Sequence, residues 1–405
     1  MLFIKNTTIV TQNNERQVIK NGAVLIVGEK IADIGLSVKL EKKYTKIKKK
    51  IINGRGWVLI PGLINAHTHA AMSLLRGFAD DLPLKDWLEQ KIWPAEAKFK
   101  PRDIYRGTKL ACQEMLRSGT TTFFDMYWQP ESIIKAVRET GIRGFVGPLI
   151  IDLGTVAVGP KQIEALYSRL KQKLSGKVKL TIAPHATYTV SEDTLRWCQS
   201  FAKKEGLLLH IHLSETEGEV KNCLKKHGCR PIEYLAKIGF LGNNVVAAHC
   251  CWLSDKEIKI LAKYGVSVAH CPTSNLKLVS GIAPLGKLLK AGVNVCLGTD
   301  SAASNNSLDI FSEMKIAALI HKWDEKNPAA ADAQTILDLA TINGVKALKI
   351  DRQVGSIDTG KQADIVIVNF NQPHLQPCHS EVSNLVYAAR GGDVSAVIIN
   401  GQVLF

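Results

Sequence analysis

The chain changes its hydrophobic rhythm twice. Residues 2–11, 22–27, 30–35 and 51–53 read as short strands, with 24–28 and 30–34 forming a hairpin. The far end behaves the same way. Residues 363–368 and 394–400 are β-rich, and Gly391-Gly392 and Asn400-Gly401 are turn signals. Between these ends, continuous apolar runs fall at 58–64, 120–124, 143–151, 178–183, 207–213, 244–248, 266–269 and 293–297. Amphipathic stretches long enough for helices separate most of them, for example 101–118, 130–140, 191–205 and 255–264, with Ser191 and Ser254 placed as N-caps. Continuous apolar runs fit strands buried on both faces. Eight such runs with helices between them predict a parallel (β/α)8 barrel, a doubly wound open sheet being the other fold with this rhythm.

The polar residues that end these runs change the picture most. His67 and His69 follow 58–64, His185 follows 178–183, and His212 ends 207–213 with Glu215 just beyond. His249 follows 244–248 and Asp300 follows 293–297. These are the carboxyl ends of the predicted strands, where a barrel carries its active site. His67 and His69 are two residues apart on an extended segment and so share a side. With His212, His249 and Asp300 they make a nitrogen and carboxylate donor set suited to Zn2+ or Fe2+, leaving a coordination position open for water.

Composition adds limits. The 405 residues are 46% hydrophobic and 22% charged, which is globular and argues against disorder, collagen or coiled coil. No 18-residue apolar window appears, so no membrane partner is expected. The start lacks a basic segment followed by an apolar one, and the nine cysteines form no Cys-x-x-Cys, so reduced thiols and a cytoplasmic location are expected. The net charge of +15 is concentrated: residues 39–50 hold seven lysines and one glutamate. That run has no arginine and a single aromatic, Tyr44. It reads as a solvated loop or lysine-guarded edge strand, and nucleic acid is not an expected partner.

Pro61-Gly62-Leu63-Ile64-Asn65-Ala66-His67-Thr68-His69 resembles the first metal motif of the amidohydrolase superfamily. His212-Leu213-Ser214-Glu215-Thr216, Ala248-His249-Cys250 and Gly298-Thr299-Asp300 resemble its later ones. The resemblance covers nearly the whole chain. It implies a composite β-sandwich built from both termini (1–57 and 352–405) around a catalytic barrel (58–351). Ser73-Leu74-Leu75-Arg76-Gly77, Ile92-Trp93-Pro94-Ala95-Glu96 and His270-Cys271-Pro272-Thr273-Ser274-Asn275 are most similar to the deaminases of 5-methylthioadenosine and S-adenosylhomocysteine.

By that resemblance His67, His69, His212 and Asp300 bind one divalent metal, zinc, with iron or manganese also suited to the donors. Glu96 and His185 hold a purine nucleoside, and Glu215 faces the reacting base. The catalytic set is Glu215, His249 and Asp300. Glu215 protonates N1 of the ring, His249 orients the nucleophile and Asp300 takes the proton of water. The end of the fourth strand carries no lysine to bridge a second metal, since Lys177 and Lys179 lie at its other end. The segment 147–154 lacks the arginines that reach the tail of the substrate in these deaminases, so S-adenosylhomocysteine has no evident carboxylate clamp. Adenosine and 5′-deoxyadenosine stay open as substrates, as do guanine deamination and triazine hydrolysis on the same metal set. A non-enzymatic binding protein on this fold would lack ligands, and none is lacking. The resemblance also points to a homo-oligomer.

Overall fold

The computed structural model describes residues 1–405 except 47, 154–157, 173 and 175. Its strands are, in chain order, β1 (Leu2–Val10), β2 (Val18–Val27), β3 (Lys30–Leu36), β4 (Lys50–Asn53), β5 (Trp57–Pro61), β6 (Leu63–Thr68), β7 (Thr120–Tyr127), β8 (Arg143–Ile150), β9 (Val178–Leu180), β10 (Ala183–Pro184), β11 (Leu209–Leu213), β12 (Val245–His249), β13 (Ser267–His270), β14 (Val295–Leu297), β15 (Ile365–Asn369), β16 (Val394–Ile399) and β17 (Gln402–Val403). The chain divides into two compact units. One is Met1–Asn65 with Gln113–Thr122 and Asp309–Phe405; the other is Ala66–Cys112 with Phe123–Leu308.

The first unit holds an eight-stranded sheet ordered β17-β16-β15-β5-β1-β2-β3, with β4 paired to β1. Both chain ends build it: β15 runs antiparallel to β5, pairing Ile365 with Pro61 and Val368 with Val58. Leu2, Ile4, Ile9, Val24, Ile26, Ile365, Ile367 and Ile398 share one buried cluster, so the two termini close over a common interior.

The barrel strands pair in parallel. β8 pairs with β9 and β10, β11 with β12, β12 with β13, and β13 with β14. The order β10-β8-β7-β6 completes the first half. Parallel bridges Ile182–Leu209 and Ala186–His212 join the halves on one side. On the other, the Asp300 amide donates to the His67 carbonyl at 3.0 Å, closing the ring of eight strand positions. The predicted fourth strand is thus two short pieces, β9 and β10.

Helices fall where the sequence places them. Glu192–Glu205 is capped by Ser191, whose hydroxyl accepts from the Thr194 amide, and Asp255–Tyr264 by Ser254, which accepts from the Glu257 amide. Two expectations are revised. The apolar run 58–64 is two strands, β5 and β6, broken at Gly62, whose amide donates to the Asp364 carbonyl. The lysine run 39–50 is partly helical: Ser37–Lys43 forms a helix because Leu40 and Tyr44, four residues apart, pack against Phe3, Ala23 and Leu25. No helix of the described residues is long and apolar enough to cross a membrane. All nine cysteines are free.

Candidate metal centre and active site

The polar strand ends converge within the second unit. His67 leaves β6 fully buried, and His69 follows it half-buried. The ring centroids of His67 lie 4.9 Å from those of both His69 and His212 and 5.3 Å from that of His249. His69 Nε2 is 3.1 Å from His212 Nε2 and 3.4 Å from Asp300 Oδ1, and His67 Nε2 is 3.5 Å from the same oxygen. Ligand atoms of His67, His69 and His212 lie within 4.8 Å of one another, as do those of His67, His249 and Asp300.

Each imidazole is fixed from behind. His69 Nδ1 faces the Met126 carbonyl at 2.7 Å and His212 Nδ1 the His185 carbonyl at 2.9 Å, so both rings donate there and turn an unprotonated Nε2 inward. His67 Nδ1 meets His210 Nε2 at 2.8 Å. Among the described residues no group makes a well-formed hydrogen bond to the buried His67 Nε2, Asp300 Oδ1 lying 3.5 Å away, and burial lowers the ring's pKa to about 4 and so keeps it neutral. A buried nitrogen without a well-formed hydrogen bond, among two further imidazoles and a carboxylate, fits a divalent cation with nitrogen and oxygen preference.

Asp300 is held with equal care. Its Oδ2 accepts from Ser274 Oγ at 2.6 Å and Ser304 Oγ at 3.0 Å, and its Oδ1 from the Ser301 amide at 2.7 Å. Its φ of 61° is left-handed, as are those of His249 (70°) and Ser214 (49°). Such angles disfavour side-chain-bearing residues and concentrate where strand ends are bent toward a site.

Glu215 accepts from Ser280 Oγ at 3.1 Å and lies 3.8 Å from His249 Nε2. Burial, then the Asp300 carboxylate, push it up to about 7, against the Ser280 hydrogen bond. His249 Nδ1 is fixed by Asn275 Nδ2 at 2.9 Å. His185 Nδ1 meets Thr189 Oγ1 at 2.8 Å, and its ring lies 4.8 Å from that of His212. Glu96 is half-buried beyond a π-helical turn, Trp87–Ile92, and accepts from the Tyr127 hydroxyl at 2.5 Å. Trp87 is buried and Trp93 exposed. The start of the fourth barrel strand puts Lys179 over the Phe145 ring at 5.6 Å, and its far end presents His185.

Several members of this cluster carry no role in the sequence reading. Glu219 accepts from the Ser214 and Glu215 amides. Asp125 accepts from Thr68 Oγ1 and the Ala70 amide, both at 2.7 Å, bracketing His69. Tyr127 orients Glu96. Only Glu219 had a local signal, a carboxylate in the first turn of a helix capped by Thr216.

The amidohydrolase family model matches residues 58–404. The chain belongs to the amidohydrolase family. A 5-methylthioadenosine/S-adenosylhomocysteine deaminase of Thermodesulfovibrio yellowstonii is 44% identical over 405 residues, covering 98% of this amidohydrolase and 92% of that protein. A 5′-deoxyadenosine deaminase of Methanosarcina mazei is 44% identical over 406 residues, covering 100% and 92%. Among solved structures, an adenosine deaminase from Xanthomonas campestris with bound zinc superposes with a TM-score of 0.95 at 37% identity, covering 99% of this chain and 92% of that one. The amidohydrolase fold expected from the sequence is therefore the fold observed.

Proposed function

We propose that this amidohydrolase is a metal-dependent aminohydrolase that converts adenosine-type nucleosides, 5′-methylthioadenosine, 5′-deoxyadenosine or S-adenosylhomocysteine, to the inosyl product and ammonia. The reading rests on one observation above the others: a buried carboxylate, Glu215, beside a cluster of imidazoles and Asp300. His67, His69, His212 and Asp300 would hold one zinc ion, and the 58–351 barrel would carry the chemistry beside a composite domain of 1–57 and 352–405. A divalent ion in this place supplies a Lewis acid that brings the pKa of water to about 7.

The chain's own groups do the rest. Glu215, whose pKa burial raises to about 7, can carry a proton near neutral pH, and in that form it delivers the proton to N1 of the ring as water oxygen adds to C6. Asp300 accepts the proton of that water. His249, fixed by Asn275, orients the nucleophile from the side of Glu215. Asp300 then returns its proton to the departing amine while deprotonated Glu215 takes the proton of the new C6 hydroxyl, so that the C6–N bond breaks, ammonia leaves and both carboxyls regain their starting states. Glu96 and His185 bind the nucleoside, with Tyr127 turning the Glu96 carboxylate.

Tail preference follows from what lies past β8. Arg143 is buried at the strand's start, and 147–153 carry no arginine; Gly154, the last residue of that segment, lies outside the described residues. A small 5′ group suits this better than an amino-acid carboxylate. Ammonia release across an adenosine panel, with guanine and a triazine as controls, tests the reading. Glu215→Gln should keep its metal and lose about 10²-fold or more in turnover, the scale of a lost general acid. Full turnover in that variant, or no ammonia from any purine nucleoside, would sink it.

A further inference from the structure

Glu219 lies four residues after Glu215, in the first turn of the helix Glu217–His227, and is 8% exposed. A carboxylate at that depth is normally paired with a cation, yet the groups it meets are backbone amides. Its Oε1 accepts from the Ser214 amide at 2.9 Å and its Oε2 from the Glu215 amide at 2.8 Å. Its own amide donates to the Thr216 hydroxyl at 3.1 Å, which starts the helix Glu217–His227. Two successive amides converge on one anion only when the chain bends through an unusual backbone state, and Ser214 supplies it with a φ of 49°. The Ser214 carbonyl is claimed from the other side by the Trp252 amide at 3.0 Å. The peptide that presents Glu215 is therefore gripped on both faces, at the point where the chain leaves β11.

We infer that Glu219 is a positioning residue for deamination: its two oxygens fix the bent Ser214–Glu215 peptide so that the Glu215 carboxyl stands where it can reach the ring nitrogen. The inference rests on Glu215 being the proton carrier. Charge on Glu219 is not required at the ring, since its oxygens are spent on the amides. What it supplies is placement, and misplacement of a reacting group by about 1 Å costs about 10²-fold in rate. A carboxylate is needed rather than an amide, because two donors face it and an amide offers one acceptor and one donor.

The test compares Glu219→Gln, Glu215→Gln and the double variant as metal-loaded full-length enzymes. Glu219→Gln should lower kcat by about 10²-fold with KM and metal content nearly unchanged, the pattern of lost placement. In the Glu215→Gln background the same substitution should cost almost nothing more, because Glu219 acts through the group already removed. If Glu219→Gln does not fold, Glu219→Asp, which keeps the charge but reaches less far, carries the same two comparisons. Wild-type kcat in the Glu219 variant beside an inactive Glu215→Gln overturns this inference alone. So does a loss that adds in full to that of Glu215→Gln, or one that follows loss of metal. Full activity of Glu215→Gln overturns the functional reading as well.

Discussion

His210 shows how much of the centre depends on side chains that face away from it. Its Nε2 meets His67 Nδ1 at 2.8 Å, and its ring stacks on Phe124 with centroids 4.0 Å apart and planes 24° apart. Replacing it by phenylalanine keeps the stack and removes the nitrogen. His67 Nδ1 then loses its partner in a fully buried place, and its protonation is no longer directed. His210→Phe should weaken metal binding by about 10–100-fold, read by competition with a chromophoric chelator. Unchanged affinity would show that the His210 nitrogen plays no part. The inward-facing residues were legible in the sequence because a histidine or aspartate ending an apolar strand has few structural reasons to be there. Their supports were not. Glu217 and Glu219 both occupy a first helical turn, yet Glu217 pairs with Lys221 at 2.8 Å on the surface while Glu219 folds back on the strand end. Sequence spacing does not separate the two outcomes, because which one is buried depends on the neighbouring loop.

Elements show a similar division. Capped helices and strands buried on both faces announce themselves, since burial and hydrogen bonding at their ends demand particular residues. The passage from β5 to β6 does not. One unbroken apolar run serves two sheets, and both demand hydrophobic residues, so periodicity sees a single strand. The break is at Gly62, where a Cβ would come within 2.0 Å of Thr121 Oγ1. Gly62→Ala should therefore lower stability by at least about 1–3 kcal/mol, the scale of overpacking, measured as a shift in the denaturation midpoint. A midpoint equal to wild type would mean that β7 yields freely there. In the lysine run the charges hid a short helix, because Leu40 and Tyr44 are few among many exposed lysines.

At the scale of the whole molecule, an ion held by residues of β6, β11 and the segment after β14 would bind the folded state and not the unfolded one. Thermal midpoint should then rise with free zinc and fall on chelation, by up to about 4 kcal/mol of stabilisation at 1,000 times the dissociation constant. A midpoint insensitive to both would argue that the cluster stands without an ion. The net charge of +15 has no part in this, for much of it sits on residues 39–50 in the first compact unit. The bond from the Asp300 amide to the His67 carbonyl has a different consequence. It joins the first barrel strand to the segment after the last, and the other unit likewise pairs β5 with β15. A chain emerging from the ribosome thus makes its first histidines early and must hold them without their final neighbours until nearly three quarters of its length is translated. Premature termination leaves no smaller working enzyme, and neither unit can be cut out as a single contiguous fragment.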